Sequence, residues 1–212
     1  MTDADAETAD RWATAAGVAE GITDYGISRA LRTYFLFHFP VGVLLLTGIG
    51  FLISLLIFGN FREEWPTHLL MGLLLASLGT GVAGFIYARK RVKPQVRPQR
   101  TAAVSWLNKQ EQKTVSRQIS GRITPVQEQL TVTRGAAVQA RQSLALFLLI
   151  GPSYLLLLAA QILNSRASGA LIVVFILCLG LFLAGYVAVV WQFRQAGRFL
   201  ENTSSFVSSE SD

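Results

Sequence analysis

The chain has 212 residues, 51% of them hydrophobic and only 15% charged, with a net charge of +6. A soluble domain carries about a quarter of its residues as Asp, Glu, Lys or Arg, so this composition excludes an ordinary soluble fold. The charge is also segregated: four runs, residues 34–58, 69–88, 143–163 and 169–192, contain no Asp, Glu, Lys or Arg at all.

A hydrocarbon core about 30 Å thick takes about 20 residues of helix at 1.5 Å each, and every one of the four runs meets that length. None alternates as a barrel strand does, and a helix is the remaining way to satisfy the backbone in lipid. The fold class is therefore an all-α integral membrane protein. Four transmembrane helices form two hairpins, both termini are cytoplasmic, and a helical cytoplasmic linker joins the hairpins. The segments divide as 1–33, 34–88, 89–142, 143–192 and 193–212.

Residues 1–20 are acidic and Ala-rich and predict a short surface helix, interrupted by Gly21 and Gly26. No cleavable signal peptide is expected, because this leader lacks a basic region and the first apolar run lies beyond residue 30. A helical pattern resumes near Asp24 and leads into the first span. Pro40 near the inner end of that span, and Pro152 in the third, each remove a backbone donor and are candidate kinks.

The second span carries the strongest local pattern. Gly72, Ala76, Thr80, Gly84 and Ala88 are small residues at a strict spacing of four. Such a stripe lets helix backbones approach, so that van der Waals contact replaces the hydrophobic drive that lipid removes. Gly180, Ala184 and Ala188 form a shorter version on the fourth span. The alternative reading of both is the lining of a pore or of a lipid or pigment groove. The matching patterns around Gly79–Ala83–Gly84 and Gly180–Ala184–Gly185, with Arg29 and Arg141 each eleven residues before a proline, fit either an internal duplication or the chance likeness of apolar sequence.

The linker between the second and third spans is basic. It includes Arg89, Lys90, Arg91, Lys93, Arg97, Arg100, Lys109, Lys113 and Arg117. Its first part holds two prolines and cannot be one regular helix. A helix is permitted from Thr101 and ends at Gly121. A second helix start is read at Thr124, Pro125 and Gln127. Of the 19 Lys and Arg, 17 fall in the amino-terminal segment, the linker and the tail, and only Arg62 and Arg166 lie in the outer connections. That asymmetry places both termini and the linker on the cytoplasmic side. The same charges suit anionic lipid headgroups or a docked protein partner. Nucleic acid is not expected, since no recognised fold or aromatic platform accompanies them. The Ser-rich tail after Leu200 reads as disordered.

The chemistry-bearing residues are sparse. No ionisable carboxylate or base lies inside a span, which argues against ion-coupled transport and against a membrane enzyme. His38 and His68 fall at opposite ends of the first hairpin and read as interfacial polar residues rather than haem ligands. Cys178 is the single cysteine, with no metal or redox motif. No cofactor is assigned, although a lipid, quinone or pigment can occupy an apolar groove without a motif. The functional expectation is a non-enzymatic scaffold: an accessory or assembly subunit of a membrane complex, or a membrane-organising factor. Its partners are then an anionic bilayer and other subunits or further copies of itself. The layout of two hairpins and a cytoplasmic linker resembles that of reticulon-type membrane-shaping proteins, in layout alone. The alternative is a small oligomeric channel or transporter using Thr47, Ser77, Thr80 or Gln161. The membrane expected is the plasma membrane of a prokaryote or its organelle equivalent.

Overall fold

The computed structural model describes residues 3–59, 61–98, 102–163 and 169–204. It is 88% helical, consistent with an all-α protein. Four helical segments are long and apolar enough to cross a membrane: Ile27–Phe58, Glu64–Gln95, Gln127–Leu163 and Gly169–Asn202. In chain order the helices are α1 (Asp3–Ala19), α2 (Ile27–Thr33), α3 (Phe39–Phe58), α4 (Phe61–Tyr87), α5 (Lys109–Ile119), α6 (Leu130–Leu163) and α7 (Gly169–Asn202). Two short strands, β1 (Thr23–Asp24) and β2 (Val96–Arg97), pair antiparallel with Thr23 opposite Arg97.

Local sequence accounts for most boundaries. Gly21 and Gly26 adopt positive φ, which breaks the helix after α1. The Asp24 carboxylate then accepts from the Gly26 and Ile27 amides at 2.9 and 2.8 Å and caps α2. A π-helical turn, Tyr34–His38, joins α2 to α3. Pro40 directly follows this π-helical turn, where the backbone hydrogen-bond ladder of the Ile27–Phe58 segment is already shifted. Pro152 lies inside the unbroken α6. A further irregularity falls at Glu64, whose φ and ψ of −117° and 17° precede Pro66 in α4. The helix start expected at Thr124 falls later. Val126, not Thr124, precedes a 3₁₀ turn over Gln127–Gln129, and α6 begins at Leu130. Val126 is itself extended, with φ −87° and ψ 129°, so the helical backbone starts two residues after the position that Thr124 would cap. α7 continues past Leu200 to Asn202. Most of the Ser-rich tail, and Arg100 and Arg166, lie outside the described residues.

The chain divides into two compact units. The first comprises Met1–Ile27, Val92–Leu144 and Val190–Asp212. Segments that read in sequence as a separate leader, linker and tail thus contribute to one body. Its core is built from Ala15 of α1, Leu107, Val115 of α5, and Val132 and Ala136 of α6, with Trp12 and Ile119 packed against it. Gly135 permits the close approach of α1, since a methyl group there would lie 2.8 Å from the Ala19 side chain. A buried polar network fixes α5 on α6. Gln118 donates to Gln129 Oε1 at 3.0 Å and accepts from the Thr133 hydroxyl at 2.8 Å.

The second unit comprises Ser28–Arg91 and Ala145–Val189. α3 and α4 form a tight antiparallel hairpin. Gly50 faces the Gly72 backbone, with a hypothetical methyl only 2.8 Å from the Gly72 Cα. His68 is fully buried in this hairpin, with Nδ1 2.8 Å from Ser54 Oγ and its ring against Phe51. Tyr34 is buried, donates to the Thr80 carbonyl at 3.3 Å and packs on Tyr87.

Candidate functional site

The two small-residue stripes occupy opposite environments within the second unit. All five positions are buried, Gly72, Ala76, Thr80 and Gly84 on α4 and Ala88 just after its end. A methyl group on Gly72 would lie 2.5 Å from the Thr47 carbonyl oxygen, and one on Gly84 would lie 2.7 Å from that of Leu149. The stripe therefore meets α3 at one end and α6 at the other. Thr80 satisfies its hydroxyl on the Ala76 carbonyl at 2.6 Å, and Ser77 donates to the Ser153 carbonyl at 2.8 Å. On α7, Gly180, Ala184, Gly185 and Ala188 are exposed, and a methyl group on Gly180 or Gly185 would meet nothing within 4 Å. No part of the most apolar window of α7 is buried. Its contacts run along the other face, where Tyr186 donates to the Leu148 carbonyl at 3.1 Å and Tyr154 packs on Phe182.

The basic residues of the linker fall on different elements. Arg89, Lys90 and Arg91 fall in a π-helical turn, Ala88–Val92, that follows α4, with the Arg89 guanidinium 5.0 Å from the Phe85 ring. Lys93, Arg97 and Lys109 are exposed in the first unit. Lys113 and Arg117, four apart on α5, share one face and meet Arg122 at the edge of an open groove of about 660 Å³.

The local structure of α5 fixes these three cations. Asn108 and Glu111 form a reciprocal capping box at its start. Asn108→Ala is expected to destabilise the first unit by about 1 kcal/mol, measured by chemical denaturation of the full chain. At the other end Gly121 has φ +70°. The Gly121 amide donates to Gln118 and the Arg122 amide to Arg117 at 3.0 and 2.9 Å. That Schellman closure turns the chain so that Arg122 follows Arg117 around the helix end. Reading the basic residues as a run missed Arg122 and the groove. The available signals were the Asn-x-x-Glu cap and the glycine after the last basic turn.

The remaining groove wall comes from α6 and α7 of the same unit, including Leu144, Trp191, Gln192 and Gln195. Among the described residues no Asp or Glu lines it. Nearby, Arg141 makes an ion pair with Asp24 at 2.6 Å. Its guanidinium lies 4.7 Å over the Phe193 ring and within 3.7 Å of where a methyl on Gly197 would sit.

These features define a helical protein with four segments fit to span a membrane and a mixed-segment helical unit bearing a basic groove. No family model matches the chain, and no curated protein or solved structure matches it.

Proposed function

We propose that the protein is a non-enzymatic membrane scaffold, an accessory or assembly subunit that holds other membrane proteins, with both termini and the first unit on the cytoplasmic face. The observation that carries this reading is the contrast between the stripes. The α4 stripe is consumed by packing within the chain, whereas Gly180, Ala184, Gly185 and Ala188 stand open on α7. In lipid, small residues on an outward face permit a second helix to approach closely. The 17-to-2 distribution of basic residues supports the orientation.

The test is the native mass of the protein extracted from its own membranes in mild detergent. A stoichiometric companion or a defined homo-oligomer is expected. Gly180→Leu with Ala184→Leu is expected to reduce that assembly at least tenfold while leaving thermal unfolding of the chain within a few degrees of wild type. A monomeric wild-type protein, or an assembly indifferent to both substitutions, counts against the proposal.

The second reading, a small oligomeric channel, draws on Thr47. Its hydroxyl is buried with no hydrogen-bond partner among the described residues. Ser77 and Thr80 offer it less, because both already bond to backbone carbonyls.

A further inference from the structure

We infer that the groove of the first unit is a discrete site for one anionic phospholipid. The inference depends on the helices lying in a bilayer and not on the subunit role proposed above. Three observations carry it. The first is charge: Lys113, Arg117 and Arg122 all line the groove, and among the described residues no carboxylate lines it and none of the three has an ion pair. The second is amphipathic lining. Beside the cations the lining holds amides such as Gln192, while Trp191 and Leu144 supply apolar surface. The third is register along the helices. Leu144 lies at the start of the apolar run of α6, residues 143–163, and Trp191 at the end of that of α7, residues 169–192. At 1.5 Å per residue, both lie within one turn of the point where these helices change from polar to apolar. That is the level of lipid headgroups, where Trp is enriched.

A phosphodiester at the three cations would leave its acyl chains to follow Leu144 and Trp191 toward hydrocarbon. Basic pockets beside membrane helices recognise anionic headgroups by this combination. A soluble phosphate ester would use the cations and leave the apolar wall unfilled. An acidic peptide would gain little from a wall continuous with two apolar helices.

The experiment uses the full chain in nanodiscs of phosphatidylcholine with and without 20% phosphatidylglycerol, released for native mass spectrometry. One phosphatidylglycerol is expected to stay bound in preference to phosphatidylcholine. The triple variant Lys113→Gln, Arg117→Gln, Arg122→Gln is expected to weaken that retention about 100-fold, at about fivefold for each cation. All three side chains are exposed, so folding should be preserved, and an unchanged circular dichroism melt verifies this. A second variant, Arg89→Gln, Lys90→Gln, Arg91→Gln, removes equal charge at residues that do not line the groove and is expected to retain the lipid. Equal retention of both lipids, or equal loss in the two variants, overturns the site. So does glycerol phosphate competing as well as the intact lipid, which would assign the groove to a soluble ester.

Discussion

Gly84→Leu is expected to prevent recovery of folded protein, or to destabilise it by more than about 3 kcal/mol. The reason is what Gly84 faces. A methyl group there would stand 2.7 Å from the Leu149 carbonyl oxygen and 3.2 Å from its carbon. Backbone cannot rotate aside as a side chain can, so α4 and α6 must separate, and separation strips contact from the whole stripe. Gly84→Ala should cost less, about 1–3 kcal/mol. The informative comparison is with Gly180→Leu. In sequence the two glycines sit in matching motifs, yet nothing lies within 4 Å of a methyl group on Gly180. Unfolding of the detergent-solubilised chain in graded sodium dodecyl sulfate should separate the two variants widely. Similar stabilities would mean that the α4 stripe does not hold the bundle together.

Arg141→Ala is expected to destabilise the first unit by about 3 kcal/mol. Both members of its pair with Asp24 are only 11% exposed, so the lost partner is not replaced by water at full strength. Asp24 has two roles, because its other oxygen caps α2. Asp24→Asn preserves a capping oxygen and removes the ion pair alone, whereas Asp24→Ala removes both and should cost about 1 kcal/mol more. Arg141→Lys keeps the charge but loses the planar stack over Phe193 and should fall between wild type and Arg141→Ala. Because the pair is largely enclosed, raising salt to 1 M should change these differences little. A double-mutant cycle between positions 24 and 141 measures the coupling directly. A coupling near zero would show that the contact contributes nothing to the unit.

The membrane-spanning segments were readable because hydrophobicity and charge exclusion are local properties of sequence. The leader helix, the break at Gly21 and Gly26 and the end of α5 at Gly121 were readable for a similar reason, each resting on a residue whose backbone preference is its own. What local pattern could not supply was the partner of each surface. The α4 and α7 stripes share their spacing, but burial of the first depends on Thr47 and Leu149, which no periodicity within α4 reveals. His68 looked interfacial by position, and its burial depends on Ser54 lying across the hairpin at the right register. The Pro40 and Pro152 pair looked equivalent by spacing. One directly follows a π-helical turn and the other lies inside a regular α-helix, so their surroundings in the backbone ladder differ. The first unit was the least legible part, since its core joins residues as far apart as Ala15 and Val132.

That dispersed composition has a consequence for biosynthesis. The first unit takes residues from before the first span, from between the second and third, and from the end of α7, where Ala196 and Phe199 are buried and Arg134 donates to the Thr203 carbonyl. At about 5–20 residues per second, a ribosome that has just finished α5 needs on the order of 10 seconds to deliver that last piece. Throughout that interval α1, α5 and the start of α6 wait with part of their surface uncovered. Membrane insertion of the fourth helix therefore comes before completion of the unit, and a chain stalled ahead of residue 190 leaves it open to quality-control proteases.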